Sequence, residues 1–158
     1  MELSLNVLKD FGLKNIMVIS STDDNIHFID EMGIFGTTRL IGTVDGSNNG
    51  ELLKFNPLKE LGLPKYTSKD IKQGKNKKDN IKYILNALSG KGIPAHEDII
   101  CINCSNILYL SGLVNNLKEG FDLAKKQIKT GQGLRKLEEY VLLTGGNLNK
   151  LRKLLGEN

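Results

Sequence analysis

The apolar residues of this chain divide into two regimes, and that division limits the architectures open to it. After an opening helical stripe, residues 16–55 carry short strand-like runs, and from Ile81 onward the apolar residues recur at helical spacing. Ile16-Met17-Val18-Ile19 is a continuous, largely β-branched run, the pattern of a strand covered on both faces by helices, as in a parallel sheet. Leu3, Val7 and Phe11 share one helical face, with Leu8 beside them and Gly12 as a stop, which predicts a helix ahead of that strand. Strand-like residues return at 37–44 and 51–55. Between them lies Asp45-Gly46-Ser47-Asn48-Asn49-Gly50, a cluster that tolerates left-handed backbone and predicts a hairpin. Residues 57–62 read as a single helical turn.

The second part of the chain is helical by its spacing. Ile81, Ile84, Leu85 and Leu88 fall at i, i+3, i+4 and i+7, and Gly90 closes the run. Residues 96–111 are apolar nearly all round, which predicts a buried helix. Leu117, Phe121, Ala124 and Ile128 precede Gly131; Leu134, Leu137 and Val141 precede Gly145-Gly146; Leu148, Leu151 and Leu155 follow. The expectation is an α/β fold in one domain spanning 1–158. A partial sheet of about three strands and one hairpin occupies 1–64, and about four packed helices occupy 76–158. So small a sheet is expected to leave a strand edge open for self-association or for a partner chain.

Composition removes several classes. With 158 residues and a net charge of +4, carried by nineteen lysines and only three arginines, the chain suits anionic ligands without demanding nucleic acid. No apolar stretch approaches the ~20 residues that cross a bilayer, and no signal-peptide pattern opens the sequence, so a cytoplasmic protein without a membrane partner is expected. Two cysteines and two histidines exclude a disulfide scaffold and a His-built metal centre. Cys101-Ile102-Asn103-Cys104 is embedded in isoleucines and is expected to pack in the core, with Asn103 bonding locally. Thr144-Gly145-Gly146-Asn147 and Gly131-Gln132-Gly133 are expected to be helix junctions rather than phosphate loops. Lys69, Lys72, Lys75, Lys77, Lys78 and Lys82 form one basic cluster. Only Tyr83 lies near it, so a solvated loop is the expectation and nucleic-acid binding the alternative. His27 and His96 have no evident ligand partners and are expected at the surface.

The segments "LKNIMVIS", "IDE", "GTTRL", "LGLP" and a helix bearing Asn80, followed by "NCSNILYLSG" and "EGFDLAKKQIKTGQGLRKLE", resemble in order the C-terminal half of anthranilate phosphoribosyltransferase, over roughly residues 4–144. The resemblance implies transfer of a phosphoribosyl group from phosphoribosyl diphosphate to anthranilate in tryptophan biosynthesis. It also implies that the family's N-terminal helical domain and its Gly-Thr-Gly-Gly-Asp pyrophosphate loop, which these residues do not contain, come from elsewhere. The chain alone is then expected to be inactive, and a homo-oligomer or a partner chain supplying the other half is expected. A non-catalytic nucleic-acid or protein binding module of the same fold, or a pyrimidine nucleoside phosphorylase relative, are the alternatives.

Asp30-Glu31 matches the family's adjacent acidic pair, which implies that it holds Mg²⁺ against the diphosphate. Mg²⁺ keeps several waters and commonly takes one or two carboxylates together with substrate phosphates, so such a pair suffices on the protein side. Successive strand residues point to opposite faces, so a shared site needs a turn at the strand end. A cation there would stabilise the charge that collects on the departing diphosphate. No general base is evident and no other site residue is assigned. Three departures stand nearby: Ser20-Ser21 following the strand where the family usually has His-Gly, a longer loop from Ser21 to Ile29, and Phe28 where the family has glycine.

Overall fold

The structure is a computed structural model that describes residues 1–23, 28–44, 47–48 (backbone only) and 52–156. Helix α1 (Glu2–Asp10) leads into β1 (Ile16–Thr22), followed by β2 (Phe28–Ile29), β3 (Thr37–Val44), β4 (Ser47–Asn48) and β5 (Leu53–Phe55). Helices α2 (Pro57–Leu61), α3 (Lys77–Leu88), α4 (Pro94–Leu110), α5 (Leu117–Lys129), α6 (Gln132–Leu143) and α7 (Leu148–Leu155) complete the chain. The α/β class holds, and the helical part from α3 onward has five helices rather than about four.

The sheet runs β2-β1-β3-β4, with β5 also on β3, and every pairing is antiparallel. The expected parallel strand is therefore corrected. Among the described residues no crossover helix lies between β1 and β3, and the two strands run antiparallel. Coverage on both faces is nevertheless present. Ile16 and Val18 face Leu5 of α1 together with Ile41, while Met17 and Ile19 face the larger core around Leu40 and Ile102. That two-sided burial is the reason the run is apolar throughout rather than alternating.

Ser20 and Ser21 lie inside β1 rather than after it. Ser21 is fully buried opposite Thr38, and their hydroxyls are 2.8 Å apart. The hairpin is present as β3 with β4 and β5, its last strand beginning at Leu53; residues 45, 46 and 49–51 lie outside the described residues.

In α1 the buried residue is Leu5, whereas Leu3, Val7 and Phe11 are exposed. Both stripes satisfy helical spacing, and the sheet's position selects the one that includes Leu5. Asn76, Asn116 and Asn147 cap α3, α5 and α7 by accepting the backbone N–H three residues on. Gly131 and Gly145 take positive φ at the α5–α6 and α6–α7 junctions, as expected for helix ends.

Helix α4 is the axis of the fold, touching β1, α3 and α5. That explains its lack of a polar face. Gly120 of α5 lies so close to Ser105 of α4 that a Cβ there would stand 3.0 Å from the Ser105 Cα. Phe121, Ala124 and Ile128 fill the seam, the two larger side chains each contributing about 1.5–3 kcal/mol of burial.

Candidate functional site

Asp30 and Glu31 occupy a bend immediately after β2, so the turn that a shared site requires is present. Both side chains are exposed. The bend is held on both sides. Before it, Phe28 and Ile29 pair with Thr22 and Ser21 of β1. Phe28 is 77% exposed, so this aromatic lies outside the core.

After the bend, Met32 is completely buried and its backbone is gripped by Asn103 of α4. The Met32 N–H donates to Asn103 Oδ1 at 3.0 Å, and Asn103 Nδ2 donates back to the Met32 carbonyl at 3.0 Å. The next amide, Gly33 N–H, donates to Ser21 Oγ at 3.2 Å. Asn103 also makes the expected local bond, donating to the Ile99 carbonyl at 2.9 Å. Its longer reach, across 71 residues, was outside the sequence-based expectation. The available signal was a polar residue in a helix that is otherwise apolar.

Glu31 borders a cavity of about 240 Å³ walled by Ile71, Tyr83, Ile84, His96 and Ile99. Partial desolvation there, and secondarily the Asp30 charge, push the Glu31 carboxyl above its ordinary value. His96 is half-buried rather than at the surface, its ring centroid 5.0 Å from that of Tyr83 in an edge-to-face contact. His27 lies outside the described residues. Among the described residues no group of three or more His, Cys, Asp or Glu could hold a metal ion. Among the described residues the bend presents two hard carboxylates, Asp30 and Glu31, and one or two carboxylates are what a partly hydrated Mg²⁺ commonly takes from a protein.

The remaining candidates separate cleanly. Lys69, Lys72, Lys75, Lys77, Lys78 and Lys82 are all exposed, as a solvated segment would be. Cys101 is fully buried, and burial pushes its thiol up to about 12 against the pull of the Lys125 charge. Cys104 is partly buried and its thiol is raised for the same desolvation reason. No described helix is long and apolar enough to cross a membrane.

A second polar cluster escaped the sequence reading. Glu97 and Asp98, near the start of α4, are buried and meet Lys125 of α5 at 3.2 and 2.8 Å, and the Tyr66 hydroxyl donates to Asp98 at 2.7 Å. Its signal was a pair of adjacent acids opening an apolar helix.

Residues 1–134 match the family described as "Glycosyl transferase family, a/b domain". Among curated proteins, the anthranilate phosphoribosyltransferase of Petrotoga mobilis is 33% identical over 138 residues, covering 87% of this chain and 38% of that protein. That of Streptococcus pneumoniae is 31% identical over 143 residues, covering 89% and 40%. The chain therefore spans about two-fifths of the length of these relatives. The crystal structure of anthranilate phosphoribosyltransferase from Thermus thermophilus superposes with a TM-score of 0.72 at 22% identity, over 87% of this chain and 38% of that one. The Saccharomyces cerevisiae enzyme in complex with PRPP and Mg gives 0.61 at 22% identity, over 79% and 34%.

Proposed function

The chain belongs to the glycosyl transferase family, within its a/b domain, and from that premise we propose that it is the part of an anthranilate phosphoribosyltransferase that holds the cation facing the diphosphate of phosphoribosyl diphosphate. The observation that carries this reading is the likeness to such enzymes at 31–33% identity over nearly nine-tenths of the chain. The two carboxylates of the bend agree with it. Asp30 and Glu31 would supply oxygen ligands to Mg²⁺; desolvation raises the Glu31 carboxyl first and the Asp30 charge second, and a divalent cation would relieve that second contribution. Bound Mg²⁺ would stabilise negative charge on the leaving diphosphate. The rest of the chain's contribution is rigidity, with β2 pairing and the Asn103 contact fixing where the acids stand.

The same reading makes the site one part of a larger one, because these 158 residues contain no Gly-Thr-Gly-Gly-Asp loop. The remaining part would come from residues outside these 158, in a further segment or in a partner chain. Among the described residues, β1 is bordered on its β2 side only at Ser21 and Thr22, so residues 16–20 offer an open edge for such an addition. Sedimentation velocity at rising concentration tests whether that edge self-associates, and a strictly monomeric species would count against self-association.

The functional test follows anthranilate fluorescence in the presence of phosphoribosyl diphosphate and Mg²⁺. It compares the 158-residue chain with a chimera in which residues 1–134 replace the matching segment of the Petrotoga mobilis relative. The chimera is expected to consume anthranilate and to stop doing so as D30N/E31Q, while the chain alone is expected to be inactive. A folded but silent chimera would overturn the reading, and turnover by the chain alone would overturn its incompleteness.

A further inference from the structure

We propose that Asn103 is a positioning residue for the acidic pair: by locking both peptide units of Met32 it fixes the direction in which Glu31 leaves the backbone, and thereby sets the affinity of the bend for a divalent cation. The inference rests on the reading of Asp30 and Glu31 as cation ligands. The Met32 N–H belongs to the peptide that begins at the Glu31 carbonyl, so its bond to Asn103 Oδ1 orients that plane and with it the Glu31 ψ angle. The Met32 carbonyl and the Gly33 N–H belong to the next peptide, and Asn103 Nδ2 and Ser21 Oγ hold its two ends. Two successive planes are thus fixed directly after the acids, from a helix and a strand whose own places are set by the core.

The amide of Asn103 is fully committed to this task. Its Oδ1 takes the Met32 N–H, and its two Nδ2 protons go to Met32 and Ile99. The Ile99 bond returns to the preceding turn of α4, so the side chain is itself held before it holds anything else. Residues that orient ligands without touching the metal commonly control metal affinity by about 10–100-fold. Asn103 has the geometry for that role, although its target is backbone rather than a ligand side chain.

Charge and geometry predict opposite signs for one substitution. N103D keeps an oxygen for the Met32 N–H, loses both donors, and adds a negative charge close to the bend. Charge alone would tighten cation binding, whereas loss of the Met32 lock would weaken it. The experiment measures free Mn²⁺ by electron paramagnetic resonance during titration of the 158-residue chain with Mn²⁺ alone. The proteins are wild type, N103D, N103A, D30N/E31Q and I102V, the last a fully buried core change in the same helix that lowers stability while keeping the Asn103 side chain that bonds the Met32 backbone. N103D and N103A are expected to bind Mn²⁺ about tenfold more weakly, with I102V unchanged. Should N103A not fold, N103D carries the test through its sign. Wild-type or tighter binding by N103D, while D30N/E31Q loses binding, would overturn the role of Asn103 and leave the acidic pair as ligands. Identical binding by wild type and D30N/E31Q would overturn both.

Discussion

Lys125 crosses from α5 to α4 and stands 2.8 Å from Asp98 and 3.2 Å from Glu97, one ammonium between two buried carboxylates. The Tyr66 hydroxyl closes the cluster from the loop after α2, and the Gly92 N–H donates to the second Glu97 oxygen at 3.0 Å. Every described member is paired, and without Lys125, the one cation among them, the two carboxylates would keep only the Tyr66 hydroxyl and the Gly92 N–H as partners.

K125M is therefore expected to destabilise the fold by about 3 kcal/mol, the lower end for a broken buried pair because the Lys125 side chain keeps a fifth of its surface. Urea unfolding measures the loss. K125M/E97Q/D98N should recover part of it, since neutral amides cost far less to bury. A triple variant no better than K125M would show that packing rather than charge dominates.

The same cluster sets a pH dependence at the alkaline end. Burial lowers the Lys125 pKa, but the bonds and charges of Asp98 and Glu97 together outweigh it and raise the group. Tyr66 is raised as well, by burial first and then by its bond to Asp98. In both cases the folded form holds its proton longer than the unfolded chain does. The contribution is complete below the unfolded values of about 10, and it is lost as pH rises through the folded ones. Unfolding free energies between pH 8 and 11 should fall more steeply in wild type than in Y66F or K125M above pH ~10.

Gly36 has φ +67°, and a Cβ there would run into the Thr22 carbonyl at the end of β1. Gly12 has φ +79° with nothing within 4 Å of the added atom. G12A pays only for left-handed backbone, about 1 kcal/mol. G36A pays for the collision too and should lose more than about 2 kcal/mol by thermal unfolding. Equal losses would mean that β3 can shift away from β1 at little cost.

Thiol accessibility should follow burial. At pH 8 a thiol reagent is expected to modify Cys104 slowly and Cys101 only on unfolding, because Cys101 is fully buried and pushed up to about 12. Mass spectrometry of a timed reaction assigns the order. Modification of Cys101 first in the folded chain would place α4 differently.

The helices were readable because their apolar spacing is local and most are closed by a nearby glycine. Asn116 before Leu117, and Gly131 after Lys129 and Thr130, mark α5 without reference to anything distant. Strand direction was not readable: Ile16-Met17-Val18-Ile19 states that both faces are covered, but not which way its neighbour runs. In α1, periodicity allowed both the Leu3 stripe and the one through Leu5, and only the sheet's location decides between them. Asp30-Glu31 drew notice through family resemblance, since an acidic dipeptide in a polar stretch has no distinguishing local chemistry. The grip of Asn103 on Met32 depends on α4 coming to rest against β1, which follows from the whole core and from no short segment.

Because Asn103 addresses position 32 only through main-chain atoms, inheritance can treat the two ends of that contact differently. Descendant sequences are free to exchange Met32 for another apolar residue that fits its enclosed niche, and the hold on the preceding acids survives. A codon change at 103 has no such latitude, so drift along this lineage should collect on one side of the contact and spare the other.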